Sequence, residues 1–231
     1  MRRLCLLLIL LAAAARAAEP LPAPGTSPCA TWRSELTSTT TWVILGLGAA
    51  GSLAALDDEN AGAIRTTLDG SALDGLFDFG NLYGSGWGVA GLGAAFYGWG
   101  AAADRPEFRE LGVDLVTSFG VTAAAVWAIK APVNRKRPNG GAHSFPSGHT
   151  AAAFSSVPPL WRHAGWQTGT GMAVLATLTG LGRMEEHRHY LSDVIAGAAL
   201  GLVCGRVTVA ACDRGWCLEP TAGGVAVAHR F

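Results

Sequence analysis

Charge is unevenly spread along this chain. Uncharged stretches cover Trp42–Leu56, Leu82–Ala103, Leu115–Ile129, Thr150–Trp161, Ala164–Gly182 and Val194–Gly205, and polar connectors separate them. All are longer than a typical strand of about 5–6 residues and suit helices. Their Ala and Gly content favours close helix–helix contact, in membranes especially. Several fall short of the roughly 20 residues that cross a bilayer, and Pro158 and Pro159 in "SSVPPLW" break or kink the fourth run. The pattern predicts an all-α bundle of about six apolar helices. Two settings fit it, a membrane-embedded bundle and a compact, very apolar soluble one, and six uncharged runs favour the membrane.

The flanks divide the rest. Arg2 and Arg3, the apolar run Leu4–Ala15 and the small residues of "ARAAEP" read as a signal peptide over 1–18, cleaved after Ala17 or Ala18, or else as an uncleaved anchor. Residues 19–41 are a Pro/Ser/Thr-rich linker, 42–211 the helical domain and 212–231 a polar tail. The connector Asp57–Asn81 is acidic and Gly-rich, with room for a short helix, and "DRPEFRELGVD" is the next. "TAGGVAVAHRF" alternates weakly and reads as a short strand or a disordered end.

Composition adds exclusions. Of 231 residues 50% are hydrophobic and 15% charged, against about 25% charged in ordinary soluble proteins. Lys plus Arg and Asp plus Glu number 17 each, and without a basic stripe there is no nucleic-acid partner to expect. No zinc-type Cys/His spacing occurs. Loss of Cys5 with the leader leaves Cys29, Cys204, Cys212 and Cys217. Cys212 and Cys217 are the candidate bridge, free thiols the alternative, and Cys204 lies in an apolar run as a packing residue.

The polar chemistry is concentrated in two clusters. "KAPVNRKRPNGG" and "HSFPSGHT" lie between the third and fourth runs, and "GRMEEHRHYLSD" between the fifth and sixth. Two runs separate the clusters, so both lie at one end of a bundle. Lys130, Arg137 and Arg183 would surround a small anion with cationic donors. Ser147 and the Gly148 N–H add neutral donors, at a turn into a helix that aims free N–H groups at the anion. His189 and Asp193 are spaced i, i+4 and share a face of a helical turn, so the carboxylate can fix the tautomer and leave the other ring nitrogen free. His149 comes from the other cluster. One histidine suits a nucleophile and the other a general acid, and spacing alone does not say which attacks. The set needs neither metal nor cofactor.

These residues resemble a known family. "KAPVNRKRP" fits Lys-x6-Arg-Pro, "PSGH" matches in full and "RMEEHRHYLSD" fits Arg-x5-His-x3-Asp. The ordered triple, over the 64 residues from Lys130 to Asp193, is similar to the signature of the type-2 phosphatidic acid phosphatase and vanadium haloperoxidase superfamily. That family often has Ser where this chain has Gly182. The resemblance implies an all-helical fold, His189 as the nucleophile that forms a phosphohistidine, Asp193 as the residue that orients His189, and His149 as acid. It assigns Lys130, Arg137, Ser147, Gly148 and Arg183 to the phosphoryl group.

The function so implied is metal-independent hydrolysis of a phosphomonoester or diphosphate, with a phospholipid or isoprenoid phosphate as substrate and the membrane as partner. The alternatives are a soluble periplasmic acid phosphatase of broad specificity, a vanadate haloperoxidase and a non-catalytic phospholipid-binding membrane protein. The implied location is a bacterial-type cell envelope, with the site facing the periplasm or the whole domain exported. Six spans behind a cleaved signal would instead put the site in the cytoplasm. Among the neighbours, His143 reads as a solvated loop residue rather than one lining the substrate entry, and Arg135 and Lys136 as solvated loop or headgroup contacts rather than phosphate ligands. His187, Arg188, Glu185 and Glu186 read as surface groups, and Trp42, Trp87, Trp99, Trp127 and Trp161 as interfacial anchors or packing.

Overall fold

A computed structural model describes residues 33–56, 66, 74–212, 216–221 and 224–229. The leader over 1–18, most of the 19–41 linker, the centre of the acidic connector and the side chains of the 212–231 tail, with the Cys212–Cys217 bridge, lie outside the described residues. The helices are α1 (Thr39–Ala54), α2 (Asp74–Gly84), α3 (Trp87–Ala102), α4 (Pro106–Val133), α5 (Gly148–Ser155), α6 (Val157–Glu185) and α7 (Leu191–Cys212). A hairpin of β1 (Trp216–Thr221) and β2 (Gly224–His229) follows, antiparallel with Trp216 opposite His229. The weak alternation in the tail therefore marks a strand.

Local chemistry sets several helix ends. Ser38 caps α1, its Oγ accepting from the Thr41 N–H at 3.2 Å. Pro106 opens α4, where its missing N–H costs nothing. Asn134 closes α4 in the left-handed region at φ 41°. The fourth apolar run splits in two. α5 ends at Ser155, and Pro158 and Pro159 fall in the first turn of α6, where a helix tolerates proline. Within α6, Gly165 at φ 83° and ψ 174° breaks the helical path. The two arms fold back on each other, with Gly169 pressed under the Trp161 side chain.

Helix α7 is the centre of the bundle and packs on α1, α4, α5 and α6. Gly197, Gly201 and Gly205 repeat every four residues on one face, against the carbonyl oxygens of Ser147, Ala151 and Ser155. A Cβ at any of these glycines would collide with α5 backbone, so this stripe seats α5 and sets His149 beside the start of α7. Ile44, Phe154, Val157, Leu202 and Val203 form the surrounding core. Along the other face α1 runs antiparallel to α7. Glu35, just before α1, meets Arg206 at 3.4 Å, and Ser52, near its end, donates to the Ser192 carbonyl at 3.1 Å.

The directions follow. α1 ascends toward the start of α7, α3 descends, α4 ascends, α5 and the first arm of α6 descend, and the second arm returns. Lys130, Gly148, Arg183 and Leu191 thus share one end, as the order of runs predicts. Among the described residues two helices, Pro106–Val133 and Leu191–Ala211, are long and apolar enough to cross a membrane, and α7 is mostly enclosed by its neighbours. The number of runs that span, which the sequence leaves open, is two by this measure. α1 and α3 have 16 residues each, about 24 Å at 1.5 Å per residue. Trp42, Trp87, Trp99 and Trp127 point outward, whereas Trp161 packs against the core.

Candidate active site

Lys130 sits in the last turn of α4, 7% exposed. Its Nζ donates to the carbonyls of His143 (2.6 Å) and Ser144 (3.5 Å), while His143 Nδ1 lies 3.2 Å from the Lys130 carbonyl. This reciprocal pairing ties the loop after α4 back onto its helix. His143 is consequently half-buried beside Trp127 and is no solvated loop residue. Arg137 is held at the root of the same loop, its Nε donating to Ala142 O at 2.9 Å and its N–H to Gly141 O at 2.7 Å.

His189 occupies the turn between α6 and α7 and is 2% exposed. Its backbone N–H donates to the Arg183 carbonyl at 3.2 Å, which couples the two motif residues through the main chain. Its Nδ1 is 3.5 Å from both Asp193 Oδ2 and Ser144 Oγ. With Nδ1 on that side, Nε2 is the nitrogen left for chemistry. Asp193 is wholly buried, and its carboxylate is saturated. Ser144 Oγ and the Tyr190 N–H donate to Oδ2 at 2.5 and 2.9 Å, and Arg135 Nη1 donates to Oδ1 at 2.8 Å. The Asp193 carbonyl takes the Ser147 N–H at 2.9 Å, joining α7 to the start of α5.

The environment depresses both histidines. His149 is pushed down to about 3, first by burial and then by the positive charges of Arg183, His189, Arg137 and Lys130. At neutral pH its ring is therefore uncharged. A phosphoryl dianion would offset that field and raise its proton affinity. His189 is also lowered, by burial above all, with Asp193 pulling the other way.

The neutral donors are placed less simply. Ser147 is wholly buried, and its Oγ is 2.8 Å from Thr150 Oγ1. Only with Thr150 as donor is the Ser147 proton free for an anion. Gly148 opens α5, so its N–H is among those with no helical partner. A Cβ there would meet Val126 and the Lys130 stem in ordinary contact at 3.6 and 3.7 Å. Steric room in the empty site is thus not the reason for glycine. Gly182 has a packing reason, since a Cβ there would press on Phe77 of α2 at 3.0 Å.

Three residues read from the sequence as solvated or left unassigned have defined positions. Arg135 pairs with Asp193, donates to Ser192 Oγ at 2.7 Å and lies 4.1 Å over the Tyr190 ring. Ser144 bonds the same carboxylate. Glu186 accepts from Arg183 Nη1 at 2.7 Å and from Asn81 Nδ2 of α2 at 2.7 Å. The Arg183-x-x-Glu186 spacing at a helix end is a legible pairing signal; nothing in the local pattern around Arg135, Ser144 or Asn81 marks them. Lys136, His187 and Arg188 are exposed as expected. Among the described residues no three His, Cys, Asp or Glu side chains converge as a metal site.

Comparison with known proteins meets this geometry. The model of the PAP2 superfamily matches residues 83–216. A lipid A 1-phosphatase of Porphyromonas gingivalis is 33% identical over 115 residues, which are 48% of this chain and 26% of that protein. The match thus spans about a quarter of the relative's length. The crystal structure of Aquifex aeolicus LpxE superimposes with a TM-score of 0.55 at 23% identity, covering 67% of this chain and 95% of that one. A transmembrane PAP2 type phosphatidylglycerolphosphate phosphatase from Bacillus subtilis aligns with a TM-score of 0.41 at 19% identity, over 79% of this chain and 94% of that one.

Proposed function

The chain belongs to the PAP2 superfamily, and on that premise we propose that it is a metal-independent phosphatase acting on a lipid-linked phosphomonoester or diphosphate through a phosphohistidine. The observation that carries this reading is the charge imbalance around His149. Of the three cations, Lys130 and Arg137 make their side-chain hydrogen bonds to carbonyls, and Arg183 alone meets a carboxylate, that of Glu186. Such a set is costly to bury without an anion. His189 Nε2 attacks phosphorus in line, an N–P bond forms and the P–O bond to the leaving group breaks. The cations and the Gly148 N–H hold the equatorial oxygens, where charge gathers. His149 gives its proton to the leaving oxygen and then takes one from the water that cleaves the N–P bond. Asp193 keeps Nδ1 protonated and balances the charge on the ring.

The lipid assignment draws on the lipid A named for the Porphyromonas gingivalis relative, on the outward tryptophans and on two helices of spanning length. We place the bundle, residues 42–211, in a bacterial-type envelope membrane with the site facing the periplasm. Arg105, Arg109 and Arg162, at the opposite end of the bundle, suit the cytoplasmic side. Because the start of α1 lies at that same end, this orientation conflicts with a cleaved leader. Labelling of a cysteine placed at Arg188 in intact cells decides it, and protection there together with labelling at Asp104 reverses the orientation.

The test of function is release of inorganic phosphate by the purified protein in detergent from phosphatidate, phosphatidylglycerophosphate, a polyprenyl diphosphate and lipid A, beside a water-soluble phosphomonoester. Turnover of a lipid substrate that persists in EDTA supports the reading. Turnover of the soluble ester alone favours a broad acid phosphatase, and no release from any of them leaves a phospholipid-binding protein.

A further inference from the structure

Arg183 is the one cradle cation whose guanidinium is tied to a carboxylate. It ends α6 and is 7% exposed. Glu186 Oε2 takes Nη1 at 2.7 Å, Nε is buried with no hydrogen-bond partner among the described residues, and no hydrogen bond is made by Nη2 among them. The carboxylate is not free to swing, because its other oxygen takes the Asn81 amide of α2 at 2.7 Å. α2 is itself seated on α6, Thr179 Oγ1 donating to the Gly80 carbonyl at 2.9 Å and Phe77 lying on Gly182.

We propose that Glu186 and Asn81 are positioning residues for Arg183, a relay from α2 that fixes one edge of the guanidinium and leaves Nη2 aimed for the phosphoryl oxygens. The inference rests on the phosphatase reading above. The physical reason is conformational. An arginine side chain alone samples many rotamers, and its planar fork binds an oxyanion well only if the plane is preset. A salt bridge on the far edge presets it before substrate arrives, and a second hydrogen bond on the carboxylate keeps that bridge in one geometry. The bridge spends only Nη1, whereas a carboxylate across the open corner would compete with phosphate. Glu186 also offsets one positive charge among the crowded cations, so the cradle can be held in the empty protein.

The experiment is a double-mutant cycle on detergent-solubilised full-length protein, read as kcat, KM and the inhibition constant for vanadate. Glu186→Ala lowers kcat/KM by about ten- to a hundredfold, since a misplacement of about 1 Å at a positioned group costs on the order of 10². The loss falls mainly on kcat, and vanadate inhibition weakens in parallel. Glu186→Gln recovers most of it, because its Oε1 still accepts from Nη1 while the unpartnered Oδ1 of a turned Asn81 amide meets its NH2 group. Asn81→Ala moves the same constants in the same direction by less. In the Arg183→Ala background Glu186→Ala has no further effect.

Equal losses from Glu186→Ala with and without Arg183 would overturn the proposal and leave Glu186 a general surface acid. So would a gain in activity on its removal, which would make Glu186 a competitor for the guanidinium. Wild-type protein that neither releases phosphate nor is protected from thermal unfolding by vanadate overturns the phosphatase reading and this inference with it. Active wild type with unaffected Glu186 variants removes the inference alone.

Discussion

Buried charge occurs at both ends of the bundle, and it is arranged differently. At the end away from the cradle two buried acids each face a basic side chain. Asp114 of α4 meets His163 of α6 at 2.8 Å, and Glu35 meets Arg206 of α7 at 3.4 Å. At the cradle end, Arg135 is paired with Asp193 and Arg183 with Glu186, while Lys130 and Arg137 donate to carbonyls. A closed pair is a structural element, weak evidence for anything more. An excess of one sign, beside two histidines whose pKa values are lowered, suits a ligand of the other sign, as the proposed function requires.

The sharpest break in the comparison comes at His189. His189→Ala lowers phosphate release by at least about 10³, the scale of losing a nucleophile, and leaves the thermal transition in place. Activity within twofold of wild type removes His189 from the reaction. Next is Arg183→Ala, expected to cost about 10² in turnover, as for loss of one oxyanion donor. It should weaken vanadate more than substrate, because vanadate takes five ligands like the phosphoryl group in mid-transfer. Equal loss for both inhibitor and substrate would make Arg183 a ground-state anchor.

Arg135→Ala tests whether a closed pair at the cradle end still serves the reaction. Freed from Arg135, the Asp193 carboxylate loses one of its fixed contacts and holds His189 less firmly, so kcat falls by about tenfold, the lower range for an outer-shell partner. A fall confined to thermal stability would class this pair with those at the far end. The smallest effect on activity belongs to Asp114→Ala. Breaking a buried pair costs about 3–5 kcal/mol of stability, yet kcat at a temperature where the protein stays folded should hold within twofold. A large loss of turnover there would mean that the two ends are coupled.

Much of the cradle was legible in the chain because its chemistry is local. Lys130 and Arg137 lie on one helix end and its loop, Ser147, Gly148 and His149 enter one helix, and His189 and Asp193 sit four residues apart. Spacing of that kind survives any tertiary arrangement. The helical class was equally readable, since long uncharged runs of Ala and Gly are too long for strands. Helix boundaries were less so. One run became α5 and the first arm of α6, because prolines tolerated in a first turn separate two helices.

What only the tertiary structure decided is which polar groups near the motifs are engaged. Arg135 and Lys136 are neighbours in one basic stretch, yet one reaches Asp193, 58 residues away, and the other stays in solvent. Glu186 and Asn81 meet across 105 residues, and Ser144 and Asp193 across 49. Such pairings depend on how α2, α5 and α7 are stacked. The stacking is set by glycines that admit backbone against backbone, and the four-residue repeat of Gly197, Gly201 and Gly205 names no partner. The sequence by itself therefore determined that these polar motifs share one end of the bundle. The fold determined their second layer, because contacts distant along the chain follow from packing that no local pattern encodes.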